Sequence, residues 1–262
     1  MLTARDITVS LSGVPILKGA GFTARARELT CIVGPNGSGK TTLLRALTGE
    51  LSYGGEVRLE GRDMRAMKGW ELATRRGVLP QATPLAFPFT VLEVLRIGLL
   101  AGTDAAEDDL PEQALARVGL AGFEGRFYHA LSGGEQQRVQ LARVLLQVWH
   151  PVEDGKPRWL FLDEPVSSLD IGHQLEVMQI ARDYADAGGG VVAVMHELNL
   201  TAMFADSVAL IHKGRTMCQG APAEVLKDEV LSEAYDCRVR VNRTPEGVHV
   251  PFILPQAAGP MP

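Results

Sequence analysis

The chain has 262 residues, 46% of them hydrophobic, which is enough to bury a core in one large domain or two modest ones. A formal charge of -5 argues against a broad basic face for nucleic acid, and no run approaches the ~20 apolar residues that cross a bilayer. The three cysteines, Cys31, Cys218 and Cys237, form no C-x-x-C pair. That excludes a disulfide framework or zinc ribbon, suits a reducing compartment, and predicts small core residues.

Arg5 and Asp6 open the chain without an apolar stretch, so no signal peptide is expected. The runs Ile7 to Leu11 and Gly21 to Ala26 predict antiparallel edge strands. Leu29 to Val33 is short and apolar, predicts a buried strand, and leads into a glycine-rich loop. Thr41 to Thr48 predicts a helix ended by Gly49. From Val91 to Leu146 the pattern predicts helices alone, one of them starting at Asp108-Asp109 and Pro111. The polar stretch Pro151 to Pro157 predicts an exposed loop. Buried strands are expected at Leu160 to Leu162, Val191 to Met195 and Val208 to Ile211, and a frayed tail from Gln256 to Pro262. Strands alternating with helices predict an α/β architecture, without internal repeats.

The loop reads Gly34-Pro35-Asn36-Gly37-Ser38-Gly39-Lys40-Thr41 and fits G-x-x-x-x-G-K-[ST]. Its glycines let successive N–H groups turn inward around phosphate oxygens, and the following helix adds its positive N-terminal end. Lys40 would reach the β- and γ-phosphates, and Thr41, followed by Thr42, would place a hydroxyl on Mg²⁺. The chemistry predicted is ATP binding.

A second element, Leu160-Phe161-Leu162-Asp163-Glu164, ends a buried strand in two carboxylates at the sheet edge where ligands of open α/β sheets bind. Asp163 could hold the Mg²⁺ shell, and Glu164 could accept a proton from an attacking water. A third element is Leu131-Ser132-Gly133-Gly134-Glu135-Gln136-Gln137-Arg138. Ser132 with Glu135 three residues on makes a capping box, and the two glycines make an anion-binding helix start. Taken alone, that stretch is read as an ordinary helix cap.

In this order and spacing the three elements resemble the ATP-binding cassette of ABC transporters, with Leu131 to Gln136 matching the signature motif. Gln81 resembles the Q-loop glutamine, Ser168-Leu169-Asp170 the D-loop, and His196 the switch histidine. The resemblance runs from about Leu2 to Gly220. It implies a P-loop NTPase core with an antiparallel β edge subdomain and an inserted helical subdomain. The expected division is a core of about 1–90 and 150–220, helices over about 91–148, and an extension over about 221–255. The resemblance further implies that two copies pair head to tail, the signature residues Ser132, Gly133 and Gly134 of one closing over the γ-phosphate held by the other. Glu164 would activate water, His196 would contact the γ-phosphate, and Gln81 would sense Mg²⁺. One departure stands out: family members stack adenine on an early aromatic residue, whereas the corresponding position here is Leu11 or a neighbour, and no aromatic precedes Phe22.

The stretch from Gln81 to Val91, with its prolines and polar residues, resembles the importers for iron chelates, haem and cobalamin, and predicts a groove for a partner's coupling helix. The ending Gly220 to Leu226 matches the same group. The insertion from Gln147 to Trp159 resembles the haem-import ATPase subunits. That implies a homodimer docked on two membrane permease subunits at the cytoplasmic face of the inner membrane, served by a periplasmic haem-binding protein. His129, His150, His173, His212 and His249 are read as surface residues, not haem ligands, since such a cassette does not carry the substrate. Siderophore and cobalamin importers remain alternatives. A soluble ABC ATPase of repair or translation would carry coiled-coil insertions or a second cassette, and an exporter often carries fused membrane helices; none is visible here.

Overall fold

The computed structural model describes residues 1–81, 87–102, 109–243 and 253–257. The chain opens with β1 (Leu2–Leu11) and β2 (Val14–Ala24), an antiparallel hairpin turned at Ser12-Gly13, so the predicted edge strands pair as expected but extend well beyond their apolar runs. The buried strand β3 (Leu29–Val33) leads through the phosphate loop into α1 (Lys40–Leu47), with Thr48 at its C-cap. Next come β4 (Gly54–Leu59) and β5 (Arg62–Asp63), which complete an antiparallel sheet of order β2-β1-β4-β5. Helix α2 (Gly69–Arg75) and β6 (Arg76–Leu79) return the chain to the other sheet.

The helical stretch contains α3 (Val91–Ala101), α4 (Leu110–Arg117) and α5 (Gly133–Gln147). It is not helix alone, because Thr90 and Phe127 form an antiparallel bridge that ties the entry of α3 to the approach to α5. Pro111 sits in the first turn of α4, where its missing N–H leaves no bond unmade.

The predicted loop at Pro151 to Pro157 is instead a small hairpin of β7 (Val152–Glu153) and β8 (Lys156–Pro157). Its turn, Asp154-Gly155, has φ of 49° and 70°, the left-handed pair that an Asp-Gly dipeptide favours. Then follow β9 (Trp159–Asp163), α6 (Ile171–Asp186), β10 (Gly190–Val194), α7 (Leu198–Phe204), β11 (Ser207–His212) and β12 (Arg215–Gly220). The C-terminal helices are α8 (Pro222–Val225) and α9 (Asp228–Tyr235). Gln256 lies in a final 3-10 turn and donates to Asn199 Oδ1 (3.3 Å), so the tail is docked there; residues 258–262 lie outside the described residues.

The main sheet runs β12-β11-β3-β10-β9-β6, parallel except for β12. Both faces of the central strands β3, β9 and β10 are covered, so these read as unbroken buried runs and alternate between two cores. Leu29, Cys31 and Val33 of β3, with Leu160 and Leu162 of β9, face the helical side. Ile32, Phe161, Val192 and Val194 face α1 and the antiparallel sheet. Helix α1 is thereby held between two sheets, which fixes the phosphate loop that precedes it. Of the cysteines only Cys31 is a core residue; Cys218 is half-buried and Cys237 exposed, because β12 is an edge strand and residue 237 follows the end of α9.

Candidate functional site

The phosphate loop connects the C-terminal end of β3 to the N-terminus of α1, at the edge where parallel strands of open sheets present their ligand sites. Gly34 has φ of 146°, and a β-carbon there would lie 2.1 Å from the Ile211 carbonyl oxygen, so only glycine fits. Gly37 and Gly39 also take positive φ, 75° and 105°. Ser38 and Lys40 are buried. The Lys40 ammonium donates to the carbonyls of Gly34 (2.9 Å) and Pro35 (3.1 Å), which holds it across the loop. Burial lowers its pKa, and the charges of Glu164 and Asp163 oppose that shift.

Sequence-distant carboxylates meet this loop. Strand β9 ends at Asp163, whose Oδ1 accepts from the Thr41 hydroxyl at 3.1 Å. Burial raises the Asp163 carboxyl, and the Thr41 hydrogen bond opposes it. The next residue, Glu164, has φ of 52°, an uncommon left-handed turn for a residue with a β-carbon. Its carboxylate lies between two groups: Gln81 Nε2 donates to Oε2 at 2.9 Å, and His196 Nε2 lies 2.6 Å from Oε1. His196 follows β10, just as Glu164 follows β9, and these strands are neighbours in parallel register.

A cavity of about 270 Å³ is lined by Asn36, Gly37, Gly39, Lys40, Thr41, Thr42, Glu164 and His196, with Ile16 of β2 on its remaining side. Ile16 was not singled out by sequence, and its aliphatic side chain stands where no aromatic is available. On the other side of Thr41 a second cavity, of about 330 Å³, brings Thr41, Gln81 and Asp163 together.

Ser132 to Gly134 do not line the phosphate-loop cavity. They form the start of α5, where the Ser132 hydroxyl accepts from Glu135 N (3.3 Å) and Glu135 Oε2 accepts from Ser132 N (2.7 Å). This capping box contributes about 1 kcal/mol to the helix and leaves Gly133 exposed and Gly134 half-exposed. Asp170 is likewise outside the cavity: it caps α6, accepting from His173 N at 3.0 Å. Gln137, one turn into α5, reaches the site in a way sequence reading missed; its Nε2 donates to the main-chain carbonyl of Glu164 at 3.0 Å. The signal was present, since Gln137 shares a helical face with Gly133 and Gly134.

Of the other histidines, His129 and His150 are exposed, while His173 and His212 are half-buried; His249 and residues 82–86 of the predicted coupling groove lie outside the described residues.

A family model described as ABC transporter matches residues 17–167. The hemin import ATP-binding protein HmuV of Jannaschia sp. (strain CCS1) is 64% identical over 258 residues, covering 98% of this chain and 95% of that protein. HmuV of Roseobacter denitrificans is 61% identical over 257 residues, covering 98% of each. Among solved structures, an ATP-binding cassette of an ABC transporter in its ADP conformation superposes with a TM-score of 0.74 at 24% identity, over 90% of this chain and 98% of that one. A cassette dimer bound to ADP and phosphate gives 0.72 at 24% identity, over 85% and 99%. The last two speak for the fold alone.

Proposed function

The chain belongs to the ABC transporter family as an ATP-binding, ATP-hydrolysing subunit, and from that premise we propose that it drives the import of haem. The observation that carries the substrate is the full-length similarity to proteins named for hemin import, at 53–64% identity across eight relatives, with 98% of this chain covered each time.

The site geometry supports a mechanism of hydrolysis. The backbone of Gly34 to Gly39 cradles phosphates, aided by the N-terminus of α1. Lys40, released from the Gly34 and Pro35 carbonyls, moves its ammonium onto the β- and γ-phosphates. Thr41, Asp163 and the amide oxygen of Gln81 would hold Mg²⁺. The fit is good: all three offer hard oxygen atoms around one cavity, and the Gln81 nitrogen is already engaged with Glu164. No group of three or more His, Cys, Asp or Glu side chains placed for a metal exists among the described residues, so the ion would take its remaining ligands from phosphate and water. An ion held there would supply positive charge to offset that of the bound phosphates. Glu164 accepts the proton of the attacking water, and His196 orients that carboxylate and contacts the γ-phosphate.

The signature residues Ser132, Gly133 and Gly134, which do not line this chain's own phosphate-loop cavity, serve a second copy, with Asp170 at the same junction. Each site in the homodimer is thus completed across the interface. No helix among the described residues is long and apolar enough to cross a membrane. The dimer docks on two permease subunits at the cytoplasmic face of the inner membrane, and a periplasmic haem-binding protein delivers the cargo. Exposed Phe87 and Phe127, on segments joined by the Tyr128 N–H to Phe89 carbonyl bond (2.9 Å), offer an aromatic docking face.

The test is reconstitution with the permease in liposomes together with the binding protein. Haem, and not a siderophore or cobalamin, is expected to stimulate ATP hydrolysis. Stimulation by one of the others would reassign the cargo, and co-purification with nucleic acid but no membrane protein would sink the transport reading.

A further inference from the structure

Glu164 is anchored by its main chain as firmly as by its side chain. Its N–H donates to the Val194 carbonyl at the end of β10 (3.1 Å). Its carbonyl accepts from Ser167 N (3.3 Å) and Ser167 Oγ (3.2 Å), in the turn leading to the D-loop, and from Gln137 Nε2 (3.0 Å) on α5. The first two partners come from the sheet core and from Glu164's own turn. The third comes from the helix that starts at Ser132, and it is separated from Glu164 by 27 residues.

This bond falls on a residue that needs holding. A φ of 52° is costly for glutamate and persists only where the surroundings over-determine it. Rotation about the Glu164 N–Cα bond would relax that φ, carrying the carbonyl away from Gln137 and the carboxylate away from Gln81 and His196. Gln137 commits its amide to this task at a cost, since its own Oε1 is buried without a partner among the described residues. A cavity of about 380 Å³ lies between α5, Gln81 and Ser167-Ser168.

We infer that Gln137 is a positioning residue for Glu164: the helix whose start serves the partner copy's nucleotide also sets the geometry of the general base in its own chain. The inference rests on the dimeric hydrolysis mechanism proposed above. It supplies a direct path between the two ATP sites, from Ser132-Gly134 in one, along a single helical turn, to the Glu164 carbonyl of the other.

The test uses the full chain and Mg-ATP. Gln137→Met keeps the volume and removes the donor; Gln137→Asn keeps the amide but falls short by one methylene. Both are expected to lower kcat by about tenfold or more while KM stays within about twofold, as misplacement of a catalytic group does. Gln137→Met combined with Glu164→Gln is expected still to form the ATP-dependent dimer in sedimentation, since closure does not use this bond. An unchanged kcat in both variants would overturn the inference. So would a joint loss of ATP affinity and of dimer in the combined variant, which would mark Gln137 as a support of the signature helix only. Full turnover by Glu164→Gln alone would instead bring down the mechanism on which the inference stands.

Discussion

His196 Nε2 lies 2.6 Å from Glu164 Oε1, although 32 residues separate them in sequence. The contact exists because β9 and β10 are parallel neighbours that end in register, Val194 opposite Asp163, so that the residues following each strand meet over the phosphate loop. Two residues that look unrelated along the chain thus form one unit, with Gln81 on the other carboxylate oxygen.

Removing the proposed general base from that unit gives the first prediction. Glu164→Gln should bind ATP with near-normal affinity, lose about 10²–10⁴-fold in hydrolysis, and accumulate as an ATP-bound dimer. Nucleotide titration, phosphate release and sedimentation with and without ATP measure the three. Hydrolysis at the wild-type rate would strip Glu164 of its role.

The histidine should matter through the same carboxylate. His196→Ala is expected to reduce kcat by about 10²-fold with little change in ATP affinity, and the loss should not add to that of Glu164→Gln, because groups acting as a unit are non-additive. Additive losses in a double-mutant cycle would mean that the two act separately.

How much of this was legible beforehand depends on what fixes each residue. The phosphate loop could be read because phosphate binding demands glycine at set positions, and Gly34, pressed against the Ile211 carbonyl, tolerates nothing else. Strands β3, β9, β10 and β11 could be read because both their faces are buried. Strand β12 could not, since its residues are half-buried and polar at an exposed edge, nor could the two-residue strands of the β7–β8 hairpin, although Asp154-Gly155 was a usable turn signal. The role of Gln137 was hidden because it is exercised on a main-chain carbonyl, an acceptor every residue has. Asp163 meets Thr41 across 122 residues, a pairing that only the sheet order reveals.

The same Gly34 supports a stability prediction. Gly34→Ala places a methyl group against a backbone oxygen and forces a φ that alanine avoids, so unfolding free energy should drop by at least about 2 kcal/mol. ATP affinity should collapse in parallel, since the loop must open to relieve the clash. Thermal melting and nucleotide titration together check it; a variant that melts and binds normally would refute the loop geometry.

Asp228 gives a pH-dependent prediction at the far end of the chain. Its carboxylate accepts from Val241 N (2.8 Å) and Arg240 (2.9 Å), and these bonds hold its pKa below the ordinary carboxylate value. A depressed carboxyl contributes stability above the unfolded-state pKa and loses it as pH falls through the folded one. Protease resistance of the segment around 237–243 should therefore be greater in the wild type than in Asp228→Asn at neutral pH. The difference should vanish once acid has protonated Asp228. A difference that persists in acid would place the effect in packing and not in charge.

The adenine side of the site yields the last prediction. Base stacking on an aromatic ring contributes about 1–3 kcal/mol, whereas the described residues that line the cavity include the aliphatic Ile16 and no aromatic, with Leu11 and Val14 exposed at the β1–β2 turn. Apolar contact without stacking should still contribute, so Ile16→Ala is expected to weaken ATP binding by about threefold to tenfold. Supplying the missing ring should act in the opposite direction. Leu11→Tyr is at an exposed position where added volume meets no core, and it is expected to tighten ATP and ADP alike by about tenfold while leaving kcat unchanged, since the base is remote from the γ-phosphate. Equal affinities in wild type and Leu11→Tyr, with a loss on Ile16→Ala, would place adenine against β2 and away from the turn. No change in either variant would mean that the base is held from outside this hairpin.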